Sequence, residues 1–157
     1  MKRKIFQKTA LLLSVVLIIC SLCFALSSCT LTQSNLLDST SKSIYIREDG
    51  NYSSKEEVAG YIHKYGKLPG NFITKSEAKS LGWDSKKGNL WEVAPGKSIG
   101  GDRYSNYEET LPVKKGVKYF ECDINYSGGH RGAERIVYSS DGHVYYTNDH
   151  YETFSEV

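Results

Sequence analysis

The chain has 157 residues, of which 39% are apolar and three are proline, a composition that favours one folded domain with appendages over two domains. Its formal charge is +2, but beyond the first 29 residues 16 cationic side chains stand against 18 acidic ones. This balance excludes a general electrostatic attraction to polyanions, so a polyanionic partner would need a local cationic cleft.

Residues 1–28 have the pattern of a secretory signal peptide. Four cations within the first eight residues precede an uncharged apolar run over residues 10–26. The run is close to the shortest membrane span, so an uncleaved anchor is the alternative. The sequence Leu-Ser-Ser-Cys that ends at Cys29 resembles the lipobox of bacterial lipoproteins, which predicts lipidation of Cys29, with ordinary cleavage nearby as the alternative. We therefore expect a lipoprotein on the extracellular side of the cell membrane, or a secreted protein, with membrane contact only through the lipidated cysteine.

Residues 29–52 are polar and rich in Ser and Thr, which predicts a tether or a removable pro-segment. The folded domain is expected to span residues 53–157. Within it Cys122 is the single cysteine, so an intramolecular disulfide is excluded there, and its place in an apolar run favours a small buried side chain.

Two capping-box patterns mark helix starts in the first half of this domain. Ser54 with Glu57 precedes apolar residues at helical spacing, and Gly66 ends that pattern. Thr74 with Glu77 begins a second helix. A short third helix is expected over residues 89–93.

The second half of the domain alternates between apolar and polar residues, the pattern of β-strands. Residues 117–124 and 134–138 alternate, and a tight turn at residues 139–142 leads into a strand at residues 143–147. Helices followed by an antiparallel sheet predict the α+β class, with the helices packed on one face of the sheet.

The alternation also predicts where the charged side chains lie. If Cys122 and Ile136 face the helices, then Glu121, Asp123 and Arg135 share the other face, which we expect to be open. A cleft on that face would hold acid and cation together.

One carboxylate, one imidazole and three cations stand out as a chemical set: Glu121, His150, Lys75, Arg131 and Arg135. Phosphodiester transesterification needs a base for the attacking hydroxyl, an acid for the leaving oxygen and cations for the charge on phosphorus. No metal or other cofactor is expected, because the acidic and histidine residues lack metal-ligand spacing. The alternatives are a structural ion pair between Glu121 and Arg135 and an idle surface histidine at position 150.

From residue 54 to its end the chain resembles the barnase family of microbial guanyl-preferring ribonucleases. The resembling segments are residues 67–69, 73–78, 81–83, 93–102, 123–126, 138–141 and 149–151. The resemblance implies the microbial ribonuclease fold in a monomer. It also implies an endoribonuclease that cleaves single-stranded RNA 3' to guanosine through a 2',3'-cyclic phosphate, which it then hydrolyses.

The resemblance assigns roles to the same residues. It implies Glu121 as the general base and His150 as the general acid, with Lys75, Arg131 and Arg135 stabilising the transition state. Separately, the position of Asp123 beside the arginines suggests that it orients them.

The resemblance further implies a phosphate contact and a guanine-binding loop. Tyr151 would contact phosphate, and the loop residues are Ser105, Asn106, Tyr107 and Glu108. A plain surface turn is the alternative for this loop. The family has an arginine where this chain has Tyr107, and a barstar-like inhibitor protein is the expected partner besides RNA.

The other three histidines are given no catalytic role. His63 falls on an amphipathic helix, His143 starts a strand, and His130 stands where the family has an aromatic residue. Two other functions stay open: a lipid-anchored RNA-binding module without turnover, and a ribonuclease toxin that acts on competing cells.

Overall fold

A six-stranded sheet and three helices make up residues 45–157, the part of the chain that this computed structural model describes. The helices are α1 Lys55–Tyr65, α2 Lys75–Ser80 and α3 Leu90–Val93, and the strands are β1 Phe72–Ile73, β2 Ser98–Tyr104, β3 Tyr119–Asp123, β4 Arg135–Ser139, β5 Val144–Thr147 and β6 Ser155–Glu156. The strands lie in chain order, with β1 parallel to β2 and every later neighbour antiparallel. The predicted α+β fold is confirmed.

The predicted helix ends are formed by the residues that the sequence pattern indicated. The Ser54 hydroxyl accepts a hydrogen bond from the Glu57 backbone N–H at the start of α1, and Gly66 ends that helix at a φ of 67°. At α2, Thr74 and Glu77 form a complete capping box in which each side chain bonds the backbone of the other. This cap fixes Lys75 as the first residue of α2.

One face of the sheet packs on α1. Val58 and Ile62 of this helix belong to the same buried cluster as Cys122, Ile136 and Val144 of the sheet. The strand register places Asp123 opposite Arg135 and Glu121 opposite Val137, so these four residues lie on the other face. The predicted alternation is therefore confirmed.

The second face of the sheet, which was expected to be open, is covered in part. Val137 and Tyr145 of the sheet pack there with Leu111 from the loop between β2 and β3. Tyr151 and Phe154, from the segment between β5 and β6, pack on the same cluster. This cover buries the charged groups beside it.

Residues 45–52, which belong to the segment predicted to be a tether or a removable pro-segment, pack on α1. Ile46 is buried, the Lys64 ammonium donates to the Ile46 carbonyl at 2.7 Å, and the Tyr61 hydroxyl donates to the Glu48 carbonyl at 2.9 Å. The rest of the predicted tether, the signal peptide and Cys29 lie outside the described residues and stay predictions. Between residues 45 and 157, no helix has the length and apolar character needed to cross a membrane.

The edge strands β1 and β6 were not predicted. Each has two residues, too few for an alternating pattern to appear in the sequence. Strand β1 pairs with β2 and so places the start of α2 beside the sheet. Strand β6 pairs with β5 and so anchors the far end of the loop that carries His150.

Candidate active site

Glu121 lies on the central strand β3 with both carboxylate oxygens engaged. It is 6% exposed, and it accepts hydrogen bonds from the Lys75 ammonium and from the Tyr151 hydroxyl. The backbone N–H of Lys75 donates to the Asp102 carboxylate of β2 at 2.8 Å. The start of α2 is thereby bonded to the sheet at the point where its lysine reaches the buried acid.

Asp123, two residues further along β3, holds both arginines. Its two oxygens accept from Arg131 Nε and Nη2, each at 2.6 Å, and Arg135 Nε lies 2.9 Å from Oδ1. Arg135 is also tied to the carbonyl of Glu134 at 2.7 Å. This geometry is what an orienting carboxylate would make, because a two-pronged bond fixes the plane of a guanidinium group.

The charges around Glu121 favour its ionised form. Burial acts to raise the pKa of Glu121, but hydrogen bonds from Lys75 and Tyr151 and the charges of Lys75 and Arg131 outweigh burial, so its pKa lies below the ordinary value of 4.5. The Tyr151 hydroxyl responds in the opposite sense, since burial and its bond to Glu121 raise the Tyr151 pKa. Near neutral pH the site therefore contains an ionised acid and a protonated phenol.

His150 lies on a loop that adopts unusual backbone angles. His150 and Tyr151 have φ values of 60° and 77°, in the left-handed region that favours glycine. The Thr147 hydroxyl donates to Asp149 at 2.7 Å and accepts from the Tyr151 backbone N–H at 3.1 Å. Hydrogen bonds from Thr153 and Thr147 lower the pKa of Asp149 to about 2, so the loop is closed by an ionised carboxylate.

The exposed side chain of His150 borders two cavities. One, of about 350 Å³, is also lined by Tyr104, Glu108 and Tyr151. The other, of about 510 Å³, is also lined by Arg131 and Arg135. The predicted acid and two of the predicted cations thus face one cavity, and the predicted guanine-binding carboxylate faces the next.

The predicted guanine-binding loop follows β2. Asn106 is buried, with a φ of 47°, and its side-chain amide bonds the Leu111 backbone N–H and carbonyl at 3.0 and 2.9 Å. Its side chain therefore closes the loop and is not available to a base. Glu108 is exposed toward the His150 cavity, whereas Ser105 and Tyr107 line a separate cavity on the other side of the loop.

Sequence reasoning missed four residues that position the site: Asp102, Thr147, Asp149 and Tyr104. Thr147 and Asp149 at the end of β5, with Thr153 four residues later, have the spacing of a side-chain-closed turn, which is a readable signal. Asp102 gave no local signal, because its partner Lys75 is 27 residues away. Tyr104 stacks on the Tyr151 ring with centroids 5.3 Å apart, and only the fold brings the two together.

Metal-ligating groups do not gather at this site. Among residues 45–157 no group of three or more His, Cys, Asp and Glu side chains is placed to hold a metal ion. The cationic groups present are Lys75, Arg131 and Arg135.

Comparison with known proteins decides the family. The model of the ribonuclease family matches residues 55–157. The chain belongs to the ribonuclease family. It is 57% identical over 100 residues to a ribonuclease of Heyndrickxia coagulans. The aligned region covers 64% of this chain and 92% of that protein. It is equally similar to the ribonucleases of Bacillus intermedius and Bacillus pumilus, where the match covers 64% of this chain and 62% of each relative.

The match includes every residue of the site described above, from Lys75 to Tyr151. Residues 45–52, which pack on α1, precede the matched range.

Asp123, which is buried, and Asp49, which is exposed, each bind arginine and so allow a matched test of how much the buried pairs stabilise the fold. Asp123→Asn should lower the free energy of unfolding by about 3–5 kcal/mol, because it leaves the 3% exposed Arg135 side chain without its counter-ion. Asp49→Asn removes a similar two-pronged bond to Arg47 at the surface, where water replaces it. Urea denaturation of both variants measures the difference. Equal losses would show that Asp123 has no special structural role.

Proposed function

We propose that this ribonuclease is an exported endoribonuclease that cleaves single-stranded RNA 3' to guanosine without a metal ion. The observation that carries the proposal is the arrangement of Glu121. It is buried and bonded to Lys75 and Tyr151, and its pKa is lowered in part by the charge of Arg131, which lines a cavity with Arg135 and His150. A base, an acid and three cations at one site suit transfer of a phosphoryl group to a neighbouring hydroxyl.

The first step would form a cyclic phosphate. The 2'-hydroxyl of guanosine attacks phosphorus as Glu121 takes its proton, the bond from phosphorus to the 5'-oxygen breaks, and His150 gives a proton to that oxygen. In the second step water attacks the 2',3'-cyclic phosphate with the two roles reversed, and a 3'-phosphate is released. DNA lacks the attacking hydroxyl and should not be cut.

The charge of the cluster supports this assignment. The carboxylates of Glu121 and Asp123 and the three cations sum to one positive charge, and a protonated His150 adds a second. The phosphorane-like transition state carries about two negative charges, whereas the ground-state diester carries one. The site therefore favours the transition state over the bound substrate, which is what catalysis requires.

Guanine preference rests on Glu108. A carboxylate can accept from both N–H groups on the edge of guanine, whereas adenine offers a different pattern of donors and acceptors. Glu108 lines the cavity that His150 and Tyr151 also border, so a guanine bound there would lie next to the reaction centre.

The proposed reaction can be tested by the chemical ends of its RNA products and by its dependence on pH. In the presence of a chelator, RNA should give 2',3'-cyclic phosphate ends first and 3'-phosphate ends later. Turnover should fall at acid pH as Glu121 is protonated, and this loss should occur below the ordinary glutamate range because the pKa of Glu121 is lowered. His150→Gln should lower kcat by about 10²- to 10⁴-fold.

His63→Gln is the control for that variant, since His63 bonds the Val157 carbonyl at 2.8 Å and takes no part in the proposed reaction. Products with 5'-phosphate ends, or loss of activity in chelator, would reject the mechanism. Binding of RNA without any cleavage would favour the alternative of an RNA-binding module.

Guanine preference can be tested with two neighbouring acids. Glu108→Gln should reduce the ratio of cleavage after guanosine to cleavage after adenosine, because the amide offers one acceptor in place of two. Glu109→Gln is a matched control, since Glu109 lines the cavity on the other side of the loop. Competition between short RNAs of defined sequence measures the ratio. If both variants keep the parent's preference, guanine is recognised elsewhere.

Export and lipidation are proposed from the signal-like N-terminus and the lipobox at Cys29. The protein should fractionate with membranes and carry an acyl mass, and Cys29→Ser should release it. If Cys29→Ser leaves processing and distribution unchanged, ordinary secretion replaces the lipoprotein assignment.

A barstar-like inhibitor is the protein partner that family membership suggests. Such an inhibitor would have to place acidic groups over Lys75, Arg131 and Arg135, and the exposed Tyr107 offers no charge at the rim where the family has an arginine. Titrating barstar into the ribonuclease assay tests the idea, and full activity at excess barstar would reject it.

A further inference from the structure

The larger of the two His150 cavities extends past the groups that the proposed reaction uses. Beyond His150, Arg131 and Arg135, it is lined by Ser85 and by His130. His130 is exposed, and among residues 45–157 its imidazole has no hydrogen bond, ion pair or stacked ring. A polar aromatic side chain thus stands unpaired at the edge of the candidate active site.

The backbone that carries His130 is held on both sides of this residue. The Gly129 carbonyl accepts a hydrogen bond from the Tyr126 hydroxyl at 2.8 Å, and Arg131 is fixed to Asp123. A Cβ atom added to Gly88 would lie 2.9 Å from the backbone nitrogen of His130. The loop that contains Ser85 and Gly88 therefore packs directly on the loop that contains His130. The backbone of His130 is therefore held in place, and its imidazole extends from there at the edge of the cavity.

The two cavities define a direction for a bound RNA strand. The guanosine whose 2'-hydroxyl attacks would lie on the Glu108 side, and His150 would protonate the 5'-oxygen of the departing nucleotide. Because His150 borders both cavities, the departing strand would continue into the cavity that His130 lines. The loop of Ser85 continues with Lys86 and Lys87, both exposed and without an ion pair among the described residues, so the surroundings favour a polyanion.

We propose that His130 binds the departing strand, by stacking on a nucleobase that follows the scissile phosphate. Unpaired bases of single-stranded RNA commonly stack on aromatic and histidine side chains, and such contacts tolerate any base because every base has a flat face. The assignment rests on the proposed direction of cleavage and gives His130 a role in selecting substrates that extend past the cut. Its role is binding, and the proton transfers remain with Glu121 and His150.

The test compares two oligonucleotides of equal length and charge. Each carries one guanosine, followed either by adenosines or by abasic ribose units. The parent enzyme should favour the adenosine substrate in kcat/KM by about ten-fold, within the range of a base stacked on an aromatic ring. In His130→Ala this ratio should approach one, and His130→Phe should keep it, because a phenyl ring also stacks.

His63→Ala, on α1, should keep the parent's ratio and so serves as the control. The same comparison with 2'-deoxyguanosine at the cutting position measures dissociation constants without turnover, so failure of the proposed reaction can be distinguished from failure of this assignment. If His130→Ala keeps the parent's ratio in both assays, or if His130→Phe loses it as His130→Ala does, His130 does not stack on the departing strand.

Discussion

Two buried carboxylates on the central strand, Asp123 and Glu121, are bound by three cationic side chains, and the rest of the site depends on this cluster. An isolated carboxylate with 2% exposure would cost several kcal/mol of desolvation. Asp123 avoids that state by binding both arginines, and Glu121 does so by binding Lys75. The cations in turn are held in place by these two acids.

The fold brings these charges together from separate parts of the chain. The strand register sets Asp123 opposite Arg135, and the capping box at Thr74 fixes Lys75 at the first turn of α2. The bond from Lys75 to Asp102 then joins this helix to the sheet. Charges that the fold holds in fixed positions are the ones that stabilise a transition state most effectively.

The sequence was sufficient for the fold class, because capping boxes and period-two alternation are local signals. The same alternation correctly predicted that Glu121, Asp123 and Arg135 share one face of the sheet. It could not show that this face is covered, since Leu111, Tyr151 and the other covering side chains come from loops without a period. The face that was expected to be open is partly covered for that reason.

The positioning residues differ in how far the sequence could reveal them. Thr147 and Asp149 close the His150 loop through contacts within a few residues, so their spacing carries information. Asp102 and Tyr104 act through partners that are distant in sequence, and no single-chain pattern encodes such pairs. For the predicted guanine-binding loop the sequence indicated four residues alike. The structure separates Glu108, which lines a cavity with His150, from Asn106, whose side chain closes the loop.

Carbon NMR of the Glu121 side-chain carboxyl directly measures how far the cluster stabilises the ionised form of this residue in the free enzyme. Titration of the folded protein should give a midpoint below the ordinary value of 4.5, because Lys75, Tyr151 and Arg131 together outweigh burial. A midpoint at or above 4.5 would mean that burial dominates. The contacts of Glu121 with Lys75, Tyr151 and Arg131 would then not stabilise its carboxylate by more than burial destabilises it, which contradicts the lowered pKa.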